Sequence, residues 1–191
     1  MIGTNALRQP DPLIILTGVM QNAPGLLQHS RDTVSITQRV VDEVPGLGEI
    51  KKALILGAYL HDIGKVTWPA ELHTKFPLSK YDRKVIEDHP RAGANLLRGI
   101  WPDVDPLVLE IVALHHTRPG RRGYPPVEPT YPALVVAACE VFSAMTSFRP
   151  YRAGTATAAE AIACIEKWAP AEIAGALKII ATHEALQNSK G

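Results

Sequence analysis

The sequence predicts an all-α fold, on three observations. Apolar residues recur at the three- and four-residue spacing of helices along most of the chain. Helix-start signals, an Asp, Ser or Thr followed by Pro or by an acidic residue three positions on, stand ahead of several of these stretches. No run alternates convincingly as a strand would. At 191 residues the chain can bury a substantial single core. The expected architecture is a bundle of about seven or eight helices.

Residues 1–24 are expected to form an N-terminal arm ahead of a domain spanning 25–188; within the arm, residues 13–16 (LIIL) are too short a run to assign. A helix over about 24–44 aligns Leu26, His29, Thr33, Ile36 and Val40 on one stripe. Gly46 and Gly48 break it. The next helix carries Leu47, Ile50, Leu54, Gly57 and His61 on one side and Ile55, Leu56 and Leu60 on the others, so it is expected to be buried almost all round. A Pro-containing loop over 66–78 leads to a helix that Ser79 caps and that runs towards His89-Pro90; Pro90 opens another, ending near Gly99. Asp105-Pro106 starts a helix aligning Leu107, Ile111, Leu114 and His115. After a Pro-, Gly- and Arg-rich loop over 117–129 comes an apolar helix, about 132–147, with Glu140 as its one acidic residue. Thr157 and Glu160 form a capping box, and Pro170 starts the last helix.

Composition narrows the function classes. A net charge of +1 gives no electrostatic footprint for a nucleic acid polymer or a lipid surface. No apolar run has the length of a membrane span, and the N-terminus lacks a signal pattern, so a soluble cytoplasmic protein is expected. Cys139 and Cys164 have no CxxC partner and read as reduced thiols.

Five of the seven histidines carry the functional signal. His29, His61, His89 and His115 end apolar helical stripes, and His116 follows at once. Any one of them alone would read as a satisfied core histidine. Five together, with Asp62 and Glu140 in equally apolar settings, are too many costly groups to bury without a common partner, and a metal centre satisfies them all. Neighbouring helical residues point about 100° apart, so His61-Asp62 and His115-His116 cannot serve one ion from one direction. They suit two ions, with Asp62 bridging them at a separation of ~3.5–4 Å. Imidazole and carboxylate without thiolate admit Fe, Mn, Zn, Co or Ni.

His29, then His61-Asp62 in HDIGK, then His89-Pro90 in HPRAG, resemble the HD superfamily of metal-dependent phosphohydrolases. The further order of Lys75 to Leu78, the HH pair, Gly123-Tyr124-Pro125 and the segment EVFSAMTSFRPYR from Glu140 to Arg152 is similar to its HD-GYP subgroup. The resemblance covers about 25–185 and implies an HD-domain-like helical bundle. It implies His29, His61, Asp62, His89, His115, His116 and Glu140 as ligands of two divalent transition metals, Fe or Mn foremost, with Zn, Ni or Co also open. Asp62 and Lys65 would be the catalytic groups. Lys75, Arg149 and Arg152 would bind substrate phosphates, with Arg118 a further candidate. The implied reaction is attack of a metal-bound hydroxide on a phosphodiester of cyclic di-GMP or a related cyclic dinucleotide. A GGDEF-type protein is the implied partner.

The chain departs from the subgroup pattern at several places. Thr117 stands where a Glu usually follows the histidine pair, and Gly120-Arg121 where Asp-Gly is usual. Glu140 replaces an Asp, Ser143 an acidic residue, and Gly25 the Glu that helps hold a third metal, so two ions are expected. Arg118, Arg121 and Arg122 either add phosphate contacts or form a solvated loop. Two alternatives stay open: an HD-superfamily phosphohydrolase of nucleotides or other phosphate esters, and a catalytically silent nucleotide-binding or signalling module.

Overall fold

The computed structural model describes residues 10–147 and 155–188. It begins with helix α1 (Pro12–Met20), where the Asp11 carboxylate accepts a hydrogen bond from the Leu13 amide and Pro12 takes the first helical position. Here the structure differs from the expected arm: Leu16 and Met20 are fully buried, and they join Leu26, Leu60, Ile63 and Leu97 in one apolar cluster. The physical reason is that Leu16 and Met20, four residues apart on one helix face, reach the same cluster.

The remaining helices follow the expected order. They are α2 (Leu26–Glu43), α3 (Lys51–Leu60, preceded by a 3₁₀ turn at Leu47–Ile50), α4 (Lys80–Glu87), α5 (His89–Ile100), α6 (Pro106–Leu114), α7 (Tyr131–Thr146), α8 (Ala158–Ile165) and α9 (Ala171–Asn188). The loop after α3 holds two 3₁₀ turns, Ile63–Thr67 and Ala70–His73. Start signals read from the sequence work as hydrogen bonds. Ser79 and Asp82 form a reciprocal capping box on α4, Thr157 and Glu160 do the same on α8, and Asp105 accepts from the Leu107 amide.

Helix α2 packs against α3, α7 and α9, while α3 lies on α6, and α6 on α5. Two apolar clusters result. One gathers α2, α7, α8 and α9 around Phe142, Ile165 and Leu177; the other gathers α1 and α5 around Leu16, Ile63 and Leu97. Helices α3 and α6 contribute to both, with Leu54 and Ile111 in the first and Leu60 and Val112 in the second. That double duty is why α3 is apolar on every side. The loop after α6 contains a short hairpin that the sequence reading did not place: β1 (Thr117–Arg118) pairs antiparallel with β2 (Arg122–Gly123). Strands of two residues are too short to display alternation. Both cysteines are free thiols, and among the described residues no helix is long and apolar enough to cross a membrane.

Candidate metal centre

Five elements deliver the singled-out residues to one place, mostly from helix ends. His29 lies in the first turns of α2, His61 and Asp62 follow the last residue of α3, and His89 opens α5. His115 and His116 follow α6, and Glu140 projects from the middle of α7. Carbonyls near the end of a helix lack intrahelical partners, and three of the histidines use them. His61 Nδ1 lies 2.8 Å from the Ala58 carbonyl, His89 Nδ1 2.6 Å from that of Ile86, and His115 Nδ1 2.9 Å from that of Val112. A carbonyl only accepts, so each Nδ1 carries a hydrogen, and the tautomer this selects turns Nε2 inward as the atom free to bind an ion.

Imidazole nitrogens meet the two oxygens of Asp62 from opposite sides. Oδ2 is 3.4 Å from His29 Nε2 and 3.3 Å from His61 Nε2; Oδ1 is 3.1 Å from His89 Nε2 and 3.7 Å from His115 Nε2. The residues form two groups of converging ligand atoms, His29–His61–Asp62 and Asp62–His89–His115–His116, with Asp62 common to both. His89 Nε2 and His115 Nε2 are 3.1 Å apart, and each ring already directs its Nδ1–H to a backbone carbonyl. Asp62 Oδ1 is buried without a hydrogen-bond donor. Three acceptor atoms brought together in a dry site repel one another unless a cation lies between them. The donor set therefore fits a divalent transition metal. Glu140 borders the first group, its carboxylate 3.8 Å from His29 Nε2 and largely buried.

Burial acts to lower the His61 pKa, but the Asp62 carboxylate beside it outweighs burial and raises it. Burial, reinforced by the neighbouring imidazoles His61 and His89, holds the His115 pKa down to about 3, and burial likewise holds His116 well below the ordinary range. Both rings are neutral at physiological pH. For Asp62 burial acts to raise the pKa, but Lys65 and His61 outweigh it and keep the carboxylate ionised well below its usual range. Burial moves Glu140 the other way, raising its pKa. Lys65 reaches the centre directly, with Nζ 2.5 Å from Asp62 Oδ2.

Two close approaches explain the glycines of the motifs. A Cβ on Gly64 would stand 2.0 Å from the His89 carbonyl oxygen, so glycine lets the turn after Asp62 press onto the start of α5. Gly123 has φ +81°, and a Cβ there would stand 2.0 Å from the His116 carbonyl oxygen. The Tyr124 amide then donates to that same carbonyl at 3.2 Å, and its ring stacks on His116 with centroids 4.5 Å apart. Tyr124 and Trp68, whose ring meets His89 edge-on at 5.8 Å, are neighbours of the centre to which sequence reading gave no role. The GYP pattern pointed at Tyr124; nothing in the sequence marked Trp68.

The expected substrate contacts fare differently. Lys75 pairs with Asp82, Nζ to Oδ2 2.8 Å, at the start of α4. Arg118 turns inward, its Nη1 donating to the carbonyls of His115 and Thr117. Arg149 and Arg152 lie outside the described residues.

Comparison with known proteins agrees with this geometry. A family model described as HD domain matches residues 26–145. The cyclic di-GMP phosphodiesterase PA4108 of Pseudomonas aeruginosa is 28% identical over 172 residues, which are 87% of this chain and 41% of that protein. The 3'3'-cGAMP-specific phosphodiesterase 1 of Vibrio cholerae is 32% identical over 130 residues, 65% of this chain and 30% of that protein. The chain thus spans less than half the length of either relative. Among solved structures, Bd1817, an HDG"Y"P protein from Bdellovibrio bacteriovorus, superposes with a TM-score of 0.65 at 20% identity, covering 86% of this chain and 56% of that one.

Proposed function

The chain belongs to the HD domain family, and from that premise we propose that it is a metal-dependent phosphodiesterase of the HD-GYP type acting on a cyclic dinucleotide. The observation that carries this reading is the sharing of Asp62 between two groups of converging ligand atoms, with its buried Oδ1 lacking a hydrogen-bond donor. His29, His61 and Asp62, bordered by Glu140, would hold one ion, and Asp62, His89, His115 and His116 the other. The donor set suits Fe or Mn first, with Zn, Co and Ni also accommodated. Two such ions supply Lewis acidity towards the phosphodiester and its attacking water.

The chain's own residues do the rest. Asp62 bridges, one oxygen to each side, and sets the spacing of the two groups. Lys65, whose Nζ lies against Asp62, would stabilise negative charge that builds on a phosphoryl group held at the centre. Tyr124 and Trp68 flank His116 and His89 and narrow the approach to the centre. The relatives act on substrates built from guanine alone and from guanine with adenine, so the class proposed here is the cyclic dinucleotide. Tyr124 is turned towards His116, so a GGDEF-type partner would meet this loop at its exposed tip, residues 120–122.

The test is a substrate panel on protein reconstituted anaerobically with Mn²⁺ or Fe²⁺. Cyclic di-GMP or 3'3'-cGAMP should be opened to the linear dinucleotide, and Asp62→Ala should lower the rate ~10³-fold or more, equivalent to about 4 kcal/mol. Turnover confined to mononucleotides, or stoichiometric binding without turnover, would overturn the proposal.

A further inference from the structure

The stretch between the histidine pair and Gly123 is where the chain departs furthest from the HD-GYP pattern, yet it is tied down by specific contacts. Thr117 Oγ1 donates to the Leu114 carbonyl at 2.6 Å, and Thr117 pairs with Gly123 across the hairpin. Arg118 folds back beneath the histidines. Its Nη1 donates to the His115 carbonyl at 2.9 Å and to the Thr117 carbonyl at 2.7 Å. Its guanidinium carbon lies 3.9 Å from the centre of the Trp168 ring. Trp168 sits in the turn between α8 and α9 and packs on the first apolar cluster.

These contacts have a direction. The His115 carbonyl belongs to the end of α6, where helix carbonyls are left without backbone donors and where a cation is favoured by the helix dipole. A planar guanidinium can stack on an indole and donate in its own plane at once, which an ammonium cannot. The arginine thereby connects the α8–α9 turn to the backbone of a residue whose imidazole belongs to the Asp62–His89–His115–His116 group. Towards the first group Arg118 acts only at a distance, through its charge on Glu140, and none of the hydrogen bonds described for it runs to His61.

We propose that Arg118, clamped on Trp168, is a positioning residue for the second ligand group, holding the His115-His116 backbone so that both imidazoles face Asp62. This replaces its expected role as a substrate contact and rests on the metal-dependent reading above. Removing the clamp lets the histidine pair shift, and affinity falls at that group.

The experiment is a stepwise Co²⁺ titration followed by visible absorption and calorimetry, without substrate. It compares wild type, Arg118→Ala, Trp168→Leu and Trp168→Phe. Repeating each in a His29→Ala background, which leaves the second group's four ligands intact, reads that site by itself. Arg118→Ala and Trp168→Leu should weaken one Co²⁺ step about 10–100-fold, the usual effect of removing a group that orients a ligand, and leave the other within about twofold. Trp168→Phe, which keeps an aromatic face, should restore most of the loss. If Arg118→Ala does not fold, the Leu and Phe variants at position 168 decide the matter. Unchanged Co²⁺ binding in Arg118→Ala and Trp168→Leu would overturn the proposal, as would equal weakening of both steps. A wild-type protein that binds no Co²⁺ would instead overturn the metal-dependent reading itself.

Discussion

Three histidines reach the candidate centre by one local device, an Nδ1–H donated to the carbonyl three residues earlier. The device selects the tautomer and aims Nε2, so the ring direction follows from the helix end that precedes it. In the sequence the histidines and Asp62 were legible, because ionisable groups on apolar stripes need a shared partner. The carbonyl bonds were not, since they depend on where each helix stops. Residue-scale strain sits in the same loop as the ligands. Arg121 has φ +56°, in the left-handed region that favours glycine. For an L-residue with a side chain that conformation costs roughly 1–2 kcal/mol, partly offset by the chain entropy a glycine would lose. Arg121→Gly should therefore raise stability by about 0.5–1 kcal/mol, seen as a higher urea midpoint at unchanged slope. A lower midpoint would mean that the arginine side chain contributes more than its backbone costs.

At the scale of elements, helix starts were readable where capping chemistry is local. The starts read at Ser79, Asp105-Pro106 and Thr157-Glu160 each became capping hydrogen bonds. Helix α1 carries the same Asp-Pro signal at Asp11-Pro12 but was obscured by an apolar run too short to show a period. The cap of α4 has an addition that spacing did not suggest: Lys75 reaches across the preceding loop to the capping carboxylate of Asp82. Lys75 first, then the Ser79 hydroxyl and amide, lower the Asp82 pKa from 3.8 to about 2. A depressed carboxylate pKa contributes stability that is fully present above the unfolded value and disappears as pH falls through the folded one. Asp82→Asn should thus melt below wild type at neutral pH, and the gap should close between about pH 4 and pH 2. Thermal melts of the pair across that range check the sign; a gap independent of pH would mean that the charge of Asp82 is not what stabilises α4.

At the scale of the molecule, the helical class was legible and the packing order was not. Periodicity says which face of a helix is apolar, whereas the partner of that face is decided by long-range fit, as when α3 and α6 together separate two apolar clusters. The same arrangement brings ligands from α2, the end of α3, the start of α5 and the end of α6 to a single carboxylate. Ions bound there would cross-link segments that belong to both clusters, and they would bind the folded chain far better than the unfolded one. Folding and metal binding are then linked: an ion at 100 times its dissociation constant adds about 2.7 kcal/mol. For a domain of this size that corresponds to a rise in Tm of roughly 5–10 °C per ion. Adding Mn²⁺ to chelator-treated protein should produce this shift in a melt, and EDTA should reverse it. Asp62→Ala should show almost none of it, because both groups lose their common oxygen donor while all five histidines remain. A metal-dependent shift of wild-type size in that variant would mean that the stabilising ion binds elsewhere.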